Sequence, residues 1–262
     1  MDVCEPGLKR ATMSMFRSVK EIAYKIRTAS CDKMACFNIY DDGEQLPVDA
    51  LANDVIFQNL KSCGSVAVAS SEEVPTVTAL GGKGYAVAFD PLDGDATSAV
   101  GSVWGIWPGD KLTGIKGTQL KSAGLAVYGP RTTITLALDI LPGSHEFMLV
   151  DDYSAMHGQW VKCNEFTSLG EGKLFSPGNL RATQDNAGFA ELFAHYMQNQ
   201  FVLRCTGGLV ADANQLLVKG RGVLCHAGSK AAPSGLRVLY EVAPIGFLFE
   251  KAGGRSSDGE KR

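Results

Sequence analysis

The chain has 262 residues, 45% of them hydrophobic and 20% charged, with 25 basic side chains against 28 acidic ones and a formal net charge of −3. That length buries a real core, as one large domain or two ordinary ones. No broad basic field exists to hold nucleic acid or anionic lipid, and no apolar run approaches the ~20 residues of a membrane helix.

The apolar positions Met15, Phe16, Val19, Ile22, Ala23 and Ile26 recur at helical spacing and predict a helix over 8–28. A second helix is predicted over 48–60, with Leu51, Val55 and Leu60 inward. Short apolar runs separated by Gly, Pro, Asp and Ser predict strands at 65–70, 85–89, 100–107, 120–128, 132–141 and 145–150. The polar, Gly-rich stretch 154–178 reads as a connector. Beyond it come a helix at 186–199, a strand at 201–204, a helix at 209–218, a strand at 223–225 and a helix at 240–252. Two layered α/β units result, 1–174 and 175–262.

Seven cysteines spread over such a length are not a secreted disulfide framework, and no signal peptide precedes them. Cys31 and Cys36 do not share a helix face, so they are either ordinary loop thiols or a bridge across a loop.

The most informative segment is Phe89-Asp90-Pro91-Leu92-Asp93-Gly94. A strand delivers Asp90, Pro91 fixes a turn that exposes the Leu92 carbonyl, and Gly94 allows tight backbone passage beside Asp93. Two carboxylates and a carbonyl so close together form half of an oxygen cage suited to Mg²⁺ or Mn²⁺. Ser71-Glu72-Glu73 ends another predicted strand and offers more oxygens to the same sheet edge. Asp49 and Glu241 lie in helical segments with apolar faces, where a carboxylate is costly unless bound. Each of these acids also suits an Asx turn or a helix end.

The arrangement of Ser71-Glu72-Glu73 before Asp90-Pro91-Leu92-Asp93-Gly94 resembles the magnesium-dependent sugar bisphosphatases. Longer blocks extend the resemblance over nearly the whole chain: Glu44-Gln45-Leu46-Pro47-Val48-Asp49, Trp107-Pro108-Gly109-Asp110-Lys111-Leu112-Thr113-Gly114, Tyr128-Gly129-Pro130-Arg131-Thr132-Thr133, Phe175-Ser176-Pro177-Gly178-Asn179-Leu180-Arg181-Ala182-Thr183 and Leu236-Arg237-Val238-Leu239-Tyr240-Glu241-Val242-Ala243-Pro244. They are most similar to the branch acting on sedoheptulose 1,7-bisphosphate, ahead of the fructose 1,6-bisphosphate branch. The resemblance implies an α/β fold, a layered α-β-α-β-α sandwich, with a further strand and helix expected beyond Arg262. It implies hydrolysis of the 1-phosphate by metal-assisted attack of water, in the Calvin cycle of the chloroplast stroma, by a homodimer. The implied metal ligands are Glu72, Asp90, Asp93, Glu241 and the Leu92 carbonyl, for Mg²⁺ or Mn²⁺. Asp49 and Glu73 would orient and deprotonate the water, while Gly94, Asn179, Arg204 and Arg237 would meet the substrate. Cys31 and Cys36 match a regulatory disulfide reduced by thioredoxin.

Three departures stand beside these matches. The loop after Gly94, Asp95-Ala96-Thr97-Ser98-Ala99-Val100-Gly101, is shorter than the family pattern and puts Asp95 where a serine is expected. Gly235 replaces a sugar-facing lysine, with Lys230 nearby. The sequence stops at Arg262, where the family pattern continues with another strand and helix. Separately from these departures, Asp2 and Glu5 do not fit an acid-poor transit peptide. A catalytically impaired paralogue that binds sugar phosphates is therefore the alternative from another functional class.

Overall fold

The computed structural model describes residues 4–28, 47–94, 100–150 and 157–261. Cys31, Cys36 and the loop 95–99 lie outside the described residues. Helix α1 (Pro6–Thr28) buries Leu8, Ala11, Met15, Phe16, Val19, Ile22 and Ala23 as one stripe. Lys9, Arg17, Lys20 and Tyr24 on the other side stay exposed, which is the 3.6-residue period at work. Together with α2 (Pro47–Ser62), it covers one face of a large sheet.

That sheet has eight strands: β1 (Val66–Ser71), β2 (Thr78–Ala79), β3 (Tyr85–Asp93), β4 (Val100–Pro108), β5 (Ser122–Tyr128), β6 (Thr132–Leu138), β7 (Ser144–Leu149) and β8 (Trp160–Phe166). Their order is β2-β1-β3-β4-β5-β6-β7-β8. Among the described residues, β1 and β3 run parallel and the other pairings of this sheet are antiparallel. Strand β6 is buried at every position because helices lie on both faces of the sheet. Room for two indoles in β4 comes from glycine. A Cβ on Gly124, opposite Trp104, would lie 2.2 Å from the ring, so only glycine fits there.

The opposite face carries α4 (Leu209–Lys219) and α5 (Ala243–Lys251), which bury Val210, Ala213, Leu217, Ile245 and Leu248 against Val103, Ala123, Leu125 and Ala137. Beyond α4 lies a second, parallel sheet ordered β10-β9-β11, made of β9 (Gly170–Gly178), β10 (Val202–Leu203) and β11 (Arg221–His226). Helix α3 (Ala187–Gln198) closes the far side, with Phe193 and Tyr196 against Phe175 of β9. The layers therefore run α-β-α-β-α, as the resemblance implies.

Two expectations need correction. The stretch 154–178 is not a bare connector: it holds β8 and β9. Strand β8 is polar because it is a sheet edge exposed along most of its length. Strand β9 contains Gly and Pro yet is the centre of its sheet, and residue 175 lies inside it, so the change of sheet comes earlier, between Phe166 and Gly170. Nor does β3 stop at Phe89 before a turn. It continues to Asp93 through a bulge in which Pro91 and Leu92 stand opposite the single residue Ser102.

Candidate active site

Strands β1 and β3 are neighbours, with Ser71 level with Phe89 and the Glu72 N–H donating to the Phe89 carbonyl at 3.0 Å. Glu72 and Asp90 thus emerge side by side at the carboxyl ends of two parallel strands, the usual place for a ligand in an α/β sheet. Glu241 joins them from a π-helical turn, Val238–Val242, that leads into α5. One carboxylate oxygen from each of Glu72, Asp90 and Glu241 lies within 4.8 Å of the others.

Neighbouring hydroxyls fix the segments that carry Glu72 and Glu241, while Asp90 Oδ1 accepts from the Leu92 N–H at 3.0 Å. Ser71 Oγ donates to Asn53 Oδ1 of α2 at 2.7 Å and accepts from the Val74 N–H at 2.9 Å, pinning the turn that carries Glu72 and Glu73. Tyr240, beside Glu241, shares a 2.8 Å hydrogen bond with Ser70 of β1. The Arg237 N–H donates to Glu241 Oε2 at 2.6 Å, closing the π turn from inside. Arg237 Nη1 lies 2.5 Å from Glu72 Oε1, so the guanidinium offsets the charge of one of the three carboxylates directly.

The bulge decides where Asp93 points. In an unbroken strand, residues three apart face opposite sides of the sheet. The extra residue restores Asp93 to the side of Asp90 and sends the Leu92 side chain, with Phe89, into the core under α1 and α2. The carboxylate of Asp93 does not converge with the other three. Its Oδ2 accepts from the Val210 N–H at 2.7 Å, at the N-terminus of α4, where the helix dipole favours a negative charge. Gly94 follows at φ 98°, a backbone state that glycine adopts freely.

Electrostatics mark the cluster as uncomfortable. Burial first, then the charges of Glu72, Asp93 and Glu241, hold Asp90 well above the usual carboxylate range. Burial pushes Glu241 up to about 7, with Glu72 and Asp93 adding to it and the Arg237 N–H opposing. Asp93 rises to about 6 through burial, despite the N–H groups of Val210 and Leu209. An all-oxygen donor set that repels itself suits a hard divalent cation. An octahedral ion with oxygens at ~2.1 Å sets them up to ~4.2 Å apart, so the three acids fit such an ion after small rotamer changes.

The remaining candidates lie around this centre. Glu73 follows Glu72 in the same turn. Asp49 is one helical turn before Asn53, on the face of α2 that meets the end of β1. Asn179 and Arg204 sit just past the carboxyl ends of β9 and β10. Asn179 is left-handed at φ 51° and donates to the carbonyls of Ala227 and Ala232 at 2.8 and 2.9 Å, so its amide nitrogen ties a loop while Oδ1 keeps no partner among the described residues. The Arg204 N–H donates to the Phe175 carbonyl at 2.8 Å, and its buried Nε has no partner among the described residues. Sequence reasoning missed Asn53, Ser70 and Asp212, and it named Ser71 without its role as the pin of the Glu72 turn. Asp212 caps the loop before α4 by accepting from the Thr206 N–H at 2.9 Å. Only Asp212, an acid in an apolar helix start, left a signal to find.

Residues 4–165 match the fructose-1,6-bisphosphatase N-terminal domain model and 169–262 match its C-terminal domain model. The chain is 47% identical over 264 residues to the chloroplastic sedoheptulose-1,7-bisphosphatase of Spinacia oleracea, covering 98% of this chain and 67% of that one. It is 48% identical over 257 residues to the Chlamydomonas reinhardtii protein of that name, covering 97% and 64%. A class 1 fructose-1,6-bisphosphatase of Syntrophotalea carbinolica is 31% identical, covering 98% and 80%. The chain thus spans about two thirds of the length of its plant and algal relatives. Among solved structures, the Leishmania major fructose-1,6-bisphosphatase in holo form superposes with a TM-score of 0.85 at 27% identity, covering 99% of this chain and 85% of that one. Domain models spanning nearly every residue, together with the identity to curated relatives, place this chain in the fructose-1,6-bisphosphatase family.

Proposed function

We propose that the chain is a divalent-cation-dependent phosphomonoesterase that removes the 1-phosphate of sedoheptulose 1,7-bisphosphate. The observation that carries this reading is the convergence of Glu72, Asp90 and Glu241 at the carboxyl ends of β1 and β3. These three, with the Leu92 carbonyl and Asp93 alongside, are the residues to hold Mg²⁺ or Mn²⁺. When bound, the cation supplies positive charge for the transferred phosphoryl group and the leaving oxygen. Glu73 and Asp49 are assigned to orient the attacking water and take its proton. The phosphorus–oxygen bond to the sugar breaks, and the sugar alkoxide gains a proton. Arg237, half exposed beside Glu72, is assigned to the sugar side. Arg204, Asn179 and Gly94 complete the substrate contacts, with the Arg204 guanidinium on the far phosphate.

Sedoheptulose 1,7-bisphosphate is preferred over fructose 1,6-bisphosphate because the relatives named for the former are 47–48% identical and those named for the latter about 31%. The same relatives favour a chloroplast location and a place in the Calvin cycle. Regulation through Cys31 and Cys36 by thioredoxin, and a homodimer, belong to the same proposal. The test is phosphate release from both bisphosphates, with and without Mg²⁺ and a dithiol. Mg²⁺-dependent release that favours the seven-carbon substrate is expected. Release that excess chelator leaves intact would overturn the cation assignment, and no release from either substrate under any condition would favour the impaired paralogue.

A further inference from the structure

Between Asp90 and Asp93 the ladder joining β3 to β4 is interrupted: Asp90 pairs with Val103 and Asp93 with Gly101, leaving Pro91 and Leu92 against Ser102 alone. Proline has no N–H to give, and a bulged carbonyl loses its ladder partner. Ser102 replaces that partner with its side chain, since its Oγ donates to the Pro91 carbonyl at 2.6 Å. With its proton so committed, Ser102 Oγ accepts from the Tyr128 hydroxyl of β5 at 2.8 Å. Ser102 is fully buried, and Tyr128 is nearly so.

The two hydroxyls lie on the α1/α2 side of the sheet, where Tyr128 packs in the core with Trp104 and Leu92. Asp90 and Asp93 face the other side. Ser102 therefore reaches the acids through the Pro91 peptide, and Tyr128 through Ser102 and through its electrostatic interaction with Asp90. That peptide sets the twist that turns Asp93 to the side of Asp90 and presents the Leu92 carbonyl. We propose that the Tyr128–Ser102–Pro91 hydrogen-bond chain is the positioning device of the cation site, holding the bulge in the one geometry that aligns Asp90, Leu92 and Asp93. It rests on the reading of that site as a divalent-cation centre.

The experiment is direct Mn²⁺ titration of the whole chain by calorimetry or electron paramagnetic resonance, at a temperature where every variant is folded. Ser102→Ala is expected to bind Mn²⁺ about tenfold more weakly or worse, the usual scale for removing an outer hydrogen bond of a metal site. Tyr128→Phe keeps the Ser102–Pro91 bond and is expected to lose about threefold. Ser144→Ala is the control. It too removes a buried hydroxyl that donates to a carbonyl, that of Leu248 at 2.8 Å, but one far from the bulge, and Mn²⁺ affinity should not change. Wild-type affinity in Ser102→Ala, or an equal loss in Ser144→Ala, overturns the positioning role alone. Absence of Mn²⁺ binding by the wild type, or binding that survives Asp90→Asn, overturns the cation reading and the positioning role with it.

Discussion

Asp90→Asn removes one carboxylate from the cluster of Glu72, Asp90 and Glu241 while keeping side-chain shape. The burial cost and then the repulsion from Glu72, Asp93 and Glu241, which together hold Asp90 above the usual carboxylate range, are both relieved. The variant should melt at a higher temperature than the wild type in chelator, yet bind Mn²⁺ at least about 100-fold more weakly. Scanning calorimetry with and without Mn²⁺ checks both halves; a lower melting temperature in chelator would contradict the repulsion. At this scale the sequence was most informative. Two acids bracketing Pro-Leu at a strand end, and a Glu pair at another, mark an acidic cluster through residue type alone, and Asp90 and Glu72 do converge. What could not be seen was the partner of Arg237, because a guanidinium placed for phosphate and one placed for Glu72 look the same in a string of letters.

Among the elements, the junction of β4 with α4 is the tightest near the site. A Cβ on Gly101 would lie 2.4 Å from Val210 Cγ1 and 2.6 Å from the Ala126 carbonyl. Gly101→Ala must push α4 outward, and Val210 carries the N–H that Asp93 accepts. We expect a loss of about 1–3 kcal/mol in urea denaturation, the range for overpacking a tight contact. Gly235→Ala, where nothing lies within 4 Å, should stay within about 0.5 kcal/mol of wild type. Helices were readable because one-sided burial imposes a period, and buried strands because covering on both faces makes them continuous apolar runs. Strand β8 escaped because an exposed edge imposes none, and β9 because the rings of α3, rather than its own pattern, make it a core strand. The bulge escaped for a different reason: Asp-Pro reads as a turn, and only the pairing with β4 shows that the strand goes on.

For the molecule as a whole, the clustered acids are a source of instability that a bound cation would reverse. Asp93 and Glu241 bind protons more tightly when folded, at about 6 and about 7 against ordinary values of 3.8 and 4.5. Their contribution is therefore present at low pH and lost as pH rises through 6 and 7, the reverse of a salt-bridged acid. Mn²⁺ needs the charged form, so the upward shift in melting temperature that it causes should be small at pH 5 and large at pH 7.5. A shift independent of pH would count against carboxylate ligands. The five layers could be foreseen from the alternation of elements and from the resemblance. The place where the two sheets meet, at α4, could not, since it depends on long-range packing of Val210, Ala213 and Leu217 against β4 and β5 and on the Val210 N–H given to Asp93.

The order in which the acids occur along the chain has a kinetic consequence. Glu72 and Asp90 sit on strands close in sequence, whereas Glu241 follows both sheets. Half a site forms early, but its third ligand waits for the longest loop closure in the fold. A cation therefore has little to grip at the folding barrier. In stopped-flow experiments Mn²⁺ should leave the refolding rate nearly unchanged and slow unfolding, so that the loaded protein gains its lifetime on the way out of the native state.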